Sequence, residues 1–303
     1  MRQMARVSAV AALVVLSTTA TAQRDNRSRF LISPAALAQR MDDRNLVLLH
    51  FGERAQYDSA HIGGARFVSL QDISVSGAQS PDGLTLQLPA PEDLRTRLAA
   101  LGVGDSSFVV VYFGKDWISP TTRMLFTLDY AGLGDRSAML DGGMPAWLRD
   151  GRAVTTEVVT PRTATLSPLK TRPIVADAEW VNKHRAAPHV AVVDSRDTVF
   201  YKGTRAGGRP GAEQRAGHIA GAKSVFFATL YDSTGALLSS PELRSRFARA
   251  GVQPGDTVVT YCHIGQQASA TLFAARVLGH PVLLYDGSFE DWSRRAELSV
   301  EKP

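Results

Sequence analysis

The one cysteine of this chain, Cys262, lies where a predicted strand meets a loop and a helix. Residues 257–261 are β-branched and aromatic, which is typical of a buried strand. From about Gln267, apolar residues recur at helical spacing until Gly279 and Pro281 end the pattern. The loop amides between these elements and the positive end of the helix dipole favour a thiolate over a thiol. The chemistry that this arrangement suggests is nucleophilic attack by sulfur.

The residues after Cys262 favour a reactive cysteine over a structural one. A lone cysteine is more often a packed core residue, because Cys is among the most buried residue types. Here a glycine and three polar side chains follow at once, which indicates a loop whose backbone donors face the sulfur or something bound to it. We therefore predict Cys262 as the catalytic residue and the next five as its binding loop: His263, Ile264, Gly265, Gln266 and Gln267.

Alternating strands and helices predict how Cys262 is positioned. The predicted strands of the C-terminal half are 190–193, 257–261 and 282–285, with a short strand or loop at 224–227. Its predicted helices are 241–250, one that begins at about 267, and one that ends at Trp292. Ser240 is the predicted N-cap of the 241–250 helix, with Pro241 in its first turn. Such alternation is typical of a mainly parallel sheet flanked by helices, in which ligands bind beyond the carboxyl ends of the strands.

The two halves of the chain repeat each other. The matched blocks, in the same order, are Ala60–Ala65 with Gly217–Ala222, Leu101–Tyr112 with Ala250–Tyr261, and Asp141–Trp147 with Asp286–Trp292. Three matched blocks indicate a duplicated domain rather than a short solenoid. We predict domains at 23–154 and 174–303, joined by a linker at 155–173 that is rich in Thr, Pro and Arg.

Length and composition agree with two exported domains. A chain of 303 residues, 44% hydrophobic and 21% charged, suits two globular cores. Residues 1–22 read as a signal peptide, with Arg2 and Arg6 before an apolar stretch and Ala20-Thr21-Ala22 as the cleavage site. We expect a mature protein without a membrane span, in the periplasm or secreted. A single cysteine excludes an intrachain disulfide, and the net charge of +5, lowered to +3 by loss of two arginines, gives little support for nucleic-acid binding.

Four motifs together resemble the rhodanese family, specifically its tandem-domain sulfurtransferases. They are Asp194-Ser195-Arg196, Gly217-His218-Ile219-x-Gly221-Ala222, the Cys262 loop with Gly265, and Asp286-Gly287-Ser288-x-x-x-Trp292. The resemblance implies an α/β protein of two tandem rhodanese-like domains, each a mainly parallel sheet flanked by helices, with chemistry only in the second. In the first domain, Phe113 aligns with Cys262, while His50 and Gly52 align with Asp194 and Arg196.

The resemblance also implies a reaction. The thiolate of Cys262 attacks the outer sulfur of a donor such as thiosulfate, sulfite leaves, and a persulfide remains on the cysteine. A thiophilic acceptor, cyanide or a thiol, then removes that sulfur in a ping-pong sequence. No metal or organic cofactor is required. Asp194 and Arg196 are expected to form a structural pair, and the motif histidines His61 and His218 are expected to be structural as well.

The sequence departs from the family pattern in the residues that would bind the donor. Thiosulfate-using members carry cations just after the cysteine, and mercaptopyruvate-using members carry Gly and Ser, whereas here His263 and Ile264 follow. A substrate-binding arginine of the family aligns with Phe200, so Lys202, Arg205 or Arg209 would have to replace it. We predict Lys202 as the substitute, although a charge at any of these three positions is more often a solvated loop residue than a ligand.

Other functions remain open at this stage. A cysteine phosphatase or arsenate reductase would need Cys-x5-Arg, but the sixth residue after Cys262 is Ala268. A non-enzymatic double domain, which senses redox state or binds a partner through its free thiol, is a second alternative. A cysteine protease would need a histidine and an Asn or Asp converging on Cys262, which spacing alone does not test.

Overall fold

A computed structural model describes residues 25–77, 83–116, 118–209 and 212–303, so the predicted signal peptide at 1–22 lies outside the described residues. The strands of the first domain are β1 (Leu31–Ile32), β2 (Leu46–Phe51), β3 (Arg66–Val68), β4 (Phe108–Phe113) and β5 (Ser137–Leu140). Its helices are α1 (Arg27–Phe30), α2 (Pro34–Ala38), α3 (Arg54–Ser59), α4 (Pro91–Ala100), α5 (Ile118–Tyr130) and α6 (Gly143–Arg149), with 3-10 turns at Leu70–Asp72 and Gly134–Arg136.

The second domain repeats the main strands and helices of the first and adds short strands. Its strands are β6 (Val175–Ala176), β7 (Val190–Asp194), β8 (Gly208–Arg209), β9 (Ala212–Glu213), β10 (His218–Ile219), β11 (Lys223–Ser224), β12 (Thr257–Tyr261), β13 (Val282–Tyr285) and β14 (Val300–Glu301). Its helices are α7 (Ala178–His184), α8 (Thr198–Tyr201), α9 (Ser240–Arg249), α10 (Gln266–Val277) and α11 (Ser288–Trp292), with a 3-10 turn at Phe227–Leu230.

Each domain contains a five-stranded sheet with the same topology. The strand order is β1-β5-β4-β2-β3 in the first sheet and β6-β13-β12-β7-β11 in the second, and every pair in both sheets is parallel. Helices α5 and α10, which follow the two central strands β4 and β12, pack against each other between the domains. The predicted fold class, two tandem parallel sheets flanked by helices, is confirmed.

One detail of the predicted elements is wrong, and one choice that the sequence left open is decided. The helix expected over 241–250 runs from Ser240 to Arg249 with Ser239 as its N-cap, because Ser239 and Glu242 form a reciprocal capping box. Residues 224–227 were predicted as a short strand or a loop: the strand there covers only Lys223–Ser224, and the chain then passes into the 3-10 helix.

Alternation along the central strands explains why both faces of each sheet are covered. On β12, Val258 belongs to a core cluster shared by the two domains, whereas its neighbour Val259 packs on the opposite face. Val109 and Val110 of β4 are divided between faces in the same way. The shared core continues across the interface through α5 and α10, which are buried along most of their length. No helix in the described part of the chain has the length and apolar character needed to cross a membrane.

Candidate functional site

Cys262 follows β12 directly, at the carboxyl end of the sheet, and its side chain is fully buried. The chain then turns through Gly265, whose φ of +83° suits glycine, and enters α10 at Gln266. Among the described residues, the backbone amides of His263, Ile264 and Gly265 have no hydrogen-bond partner. The sulfur of Cys262 likewise makes no hydrogen bond to the described residues, so these amides are unengaged donors beside the thiol.

The turn between β13 and α11 holds the backbone of Cys262. Ser288 Oγ accepts a hydrogen bond from Cys262 N–H at 3.2 Å and donates to Tyr285 O at 2.9 Å. Phe289 N–H donates to Cys262 O, and Glu290 N–H donates to the carbonyl of the next residue. Ser288 adopts φ of +51°, an uncommon conformation for a residue with a side chain. The sequence marked Ser288 only as part of a motif, and its contact with Cys262 was missed.

His263 is fixed by a partner that the sequence did not reveal. Its Nδ1 lies 2.9 Å from Gln214 Oε1, while Gln214 Nε2 donates to His263 O at 3.2 Å. The edge of its ring meets Phe200, with the ring centroids 4.6 Å apart. Burial, with a smaller contribution from Arg196, lowers the pKa of His263 to about 4. The imidazole is therefore neutral at pH 7 and adds no positive charge to the loop.

A cavity of about 410 Å³ opens beside the loop. Its walls are Thr85, Phe200, Arg205, Ala206, Gly207, Gly208, Arg209, Ala212, Gln214, His263, Ile264 and Glu290. A Cβ on Gly207 would lie 2.5 Å from the imidazole of His263, so the wall approaches the loop closely at this point. Lys202 is exposed at the C-terminus of α8 and is not among the lining residues, whereas Arg205 and Arg209 are.

The two glutamines of the predicted loop lie in the first turn of α10. Gln266 Nε2 donates to Ser119 Oγ of the first domain at 3.0 Å, so its side chain serves the domain interface in this structure. Gln267 Oε1 is buried without a hydrogen-bond partner among the described residues. Neither side chain lines the cavity, and the substrate-binding role predicted for them remains a prediction.

Asp194 and Arg196 form a buried pair beneath the loop. Arg196 Nη2 lies 2.6 Å from Asp194 Oδ2 and also donates to Gly217 O, and both side chains are at most 1% exposed. Tyr261 OH donates to the same carboxylate at 2.8 Å. The hydrogen bond from Tyr261 therefore links the ends of β7 and β12, and Arg196 links β7 to Gly217, as expected of a structural pair. In the described residues, histidine, cysteine and carboxylate side chains form no cluster of three that could hold a metal ion.

Comparison with known proteins gives matches over most of the chain. The model of the rhodanese-like domain matches residues 33–150 and again residues 177–295. A thiosulfate sulfurtransferase from Pseudomonas aeruginosa is 30% identical over 274 residues, which cover 89% of this chain and 96% of that protein. A probable 3-mercaptopyruvate sulfurtransferase from the same organism is also 30% identical, over 86% of this chain and 94% of the relative.

Solved structures agree on the fold. The crystal structure of an anaerobic ergothioneine biosynthesis enzyme from Chlorobium limicola matches 92% of this chain and 71% of that chain, with a TM-score of 0.79. The two sequences are 21% identical, so this likeness extends to the arrangement of the backbone alone.

Proposed function

The chain belongs to the rhodanese family, with one rhodanese-like domain in each half, and we propose that it moves sulfane sulfur through a persulfide on Cys262. The protein is a sulfurtransferase, like the homologues that match it almost end to end. The observation that carries the proposal is the position of its only cysteine, at a strand end beside unengaged loop amides and the N-terminus of α10.

The proposed reaction has two steps. The Cys262 thiolate attacks the outer sulfur of thiosulfate, the sulfur–sulfur bond of the donor breaks, and sulfite leaves with the bonding electrons. Cyanide or a thiolate then attacks the outer sulfur of the persulfide, so that thiocyanate or a new persulfide forms and the Cys262 thiolate returns. Amides of His263, Ile264 and Gly265 supply hydrogen bonds to the anionic sulfur, and the α10 dipole adds to them.

Mass spectrometry tests the persulfide directly. Thiosulfate is expected to add one sulfur atom to the mass of the wild-type protein, and cyanide is expected to remove it with formation of thiocyanate. Cys262→Ser serves as the control and should gain no mass. An equal adduct in Cys262→Ser, or no adduct in either protein, would show that Cys262 is not the sulfur carrier.

The charge that binds a dianionic donor is a second part of the proposal. Since His263 is neutral at pH 7, binding falls to the cations near the cavity together with the loop amides. Lys202 was predicted for this role, while Arg205 lines the cavity wall next to Phe200. Arg205→Ala should raise the thiosulfate KM with less effect on kcat, because lost uniform binding acts on KM. Comparison with Lys202→Ala and Arg209→Ala distinguishes the three cations, and an unchanged KM in all three variants would assign binding to the amides.

We also propose that the protein is exported. The support is the basic and apolar start of the chain followed by Ala20-Thr21-Ala22. Expression in a Gram-negative host should yield a periplasmic protein whose N-terminal residue is Gln23. A full-length protein that begins at Met1 and remains in the cytoplasm would contradict export.

A further inference from the structure

A buried cation from the first domain lies against the loop that carries Cys262. Arg123, on α5, is 0% exposed and forms an ion pair with Asp286, with Nη1 2.6 Å from Oδ1. Its Nη2 donates to Leu86 O at 2.8 Å, and its Nη1 lies 3.5 Å from Gly265 O. A buried guanidinium needs such partners because its desolvation is costly. Arg123 therefore joins the first domain to Asp286 and to the start of α10.

Residues 85–88, here called the interdomain strap, hold the same turn of the second domain. Leu88 N–H donates to Asp286 Oδ2 at 2.9 Å, and Gln87 Nε2 donates to the carbonyl of Asp286. Thr85 donates to the Glu290 carboxylate from both its backbone amide, at 2.7 Å, and its hydroxyl, at 3.1 Å. The strap and Arg123 thus fix both ends of the segment 286–290 from across the interface.

That segment is the one that holds the backbone of the nucleophile. Ser288 Oγ accepts a hydrogen bond from the backbone amide of Cys262. The amides of the two residues after Ser288 donate to the carbonyls of Cys262 and His263. Gly265 lies between the same groups, since a Cβ there would be 2.9 Å from Asp286 O and 3.1 Å from Arg123 Nη1. The ion pair of Arg123 and Asp286 therefore contacts both sides of the loop: the turn that contains Ser288, and Gly265.

We propose that Arg123 is a positioning residue for sulfur transfer. Through Asp286 and Gly265 it fixes where the loop amides stand relative to Cys262 Sγ. The first domain, which has no cysteine of its own, thereby sets the geometry of the reaction in the second. The inference rests on the proposed persulfide chemistry, because it concerns the rate at which that persulfide forms.

A second interdomain ion pair offers a matched control. Arg276, near the C-terminal end of α10, lies 2.7 Å from the buried carboxylate of Asp129 on α5. Like the Arg123 pair, it joins α5 to the second domain, with an Arg276 side chain that is only 12% exposed, but it lies near the opposite end of α10 from the loop. Loss of either pair weakens the interface, and only the loss of Arg123 disturbs the loop.

The experiment compares Arg123→Met with Arg276→Met in the full-length protein. Both variants should have a lower Tm. Arg123→Met should form the persulfide about 10- to 100-fold more slowly in a single turnover, with a smaller change in half-saturation by thiosulfate, because the displaced amides stabilise the transition state more than the bound donor. In Arg276→Met, the single-turnover rate should stay within about twofold of wild type.

Equal slowing in the two variants, or a wild-type rate in Arg123→Met, would overturn the positioning role. If Arg123→Met does not fold, Arg123→Lys and Asp286→Asn replace it: slower persulfide formation in both supports the role, and wild-type rates in both refute it. Failure of the proposed function is distinguishable, because the wild type would then form no persulfide.

Discussion

The two domains share one scaffold and differ where their central strands end. In the first, Tyr112 OH accepts a hydrogen bond from the Ile62 amide at 3.1 Å. In the second, Tyr261 OH accepts one from the Ile219 amide at the same distance. One residue later, the first domain has Phe113 and the second has Cys262. The repeated fold therefore keeps its internal hydrogen bonds while the side chains beyond the strand ends are free to differ.

The turns that begin α6 and α11 show the same contrast, at the residue that follows the first glycine of each turn. Gly143 and Ser288 occupy matching positions with φ of +55° and +51°. A Cβ on Gly143 would lie 2.6 Å from the ring of Phe113, so the ring excludes a larger residue there. In the second domain, the smaller cysteine leaves room for Ser288, whose hydroxyl binds the backbone of Cys262. The two residues of each pair therefore match in size: the large Phe113 faces Gly143, and the small Cys262 faces Ser288.

Exchange of the nucleophile tests this contrast most severely. Cys262→Ser should lose at least about 10³-fold in sulfur transfer, because no other thiol exists in the chain. The double variant Phe113→Cys/Cys262→Ser should not recover activity, since Gly143 offers no hydroxyl to the new cysteine. Thiocyanate formation from thiosulfate and cyanide measures both. Recovery in the double variant would show that the sheet end alone suffices for catalysis.

The next largest effect is expected at Asp194, whose counterpart is His50. Asp194→Asn should lower the free energy of unfolding by about 3–5 kcal/mol, because it leaves the guanidinium of Arg196 buried without its counter-charge. His50→Asn is the matched variant, and its cost should be smaller because burial keeps His50 neutral, lowering its pKa to about 4. Urea unfolding compares the two. Equal losses of unfolding free energy in the two variants would mean that the buried charge of Asp194 is not what distinguishes the second domain from the first.

Ser288→Gly converts the second domain toward the first at one position. The loss of its hydrogen bond and the relief of positive φ should nearly cancel, leaving unfolding within about 1 kcal/mol of wild type. Persulfide formation should nevertheless slow about tenfold, because the Cys262 amide loses its partner. Ser288→Ala is the control that keeps the unfavourable φ and should be less stable. Wild-type rates in both variants would show that Ser288 only packs the turn.

The last expected effect concerns pH. The pKa of both His50 and His263 falls to about 4 in the folded protein, chiefly through burial. The unfolded chain binds these protons more readily, so the stabilisation is complete above about pH 6.5 and is lost as the pH falls toward 4. His50, 1% exposed, should contribute up to about 1.4 kcal/mol per pH unit and the partly exposed His263 less.

Thermal unfolding between pH 7 and 5 measures this dependence. His50→Gln should flatten the dependence of Tm on pH more than His263→Gln does. A slope that is unchanged in both variants would show that neither imidazole is held neutral by the fold.

Several features of the fold and site were predictable from sequence because they depend on local pattern or on repetition. The strands 257–261 and 282–285 appear with the predicted bounds. The alignment of His50 with Asp194 and of Phe113 with Cys262 agrees with strand register, in which His50 pairs with Tyr112 and Asp194 with Tyr261. Buried parallel strands carry this information in the sequence because their apolar runs and flanking turns are contiguous.

The partners of the loop were not predictable in this way. Gln214, which fixes His263, comes from a segment without regular periodicity, and Arg123 lies 142 residues before Gly265. Lys202 and Arg205 differ by three positions, yet only Arg205 lines the cavity, because the chain turns between them after α8.

The sequence by itself determined the duplicated α/β scaffold, the family and the place of its single thiol, since each follows from residues that are neighbours in the chain. Tertiary structure alone decided what surrounds that thiol: a neutral His263, the hydroxyl of Ser288 and the buried cation of Arg123. The physical reason is that burial, counter-charge and hydrogen-bond partners are set by packing between distant segments, and one-dimensional patterns do not encode those contacts.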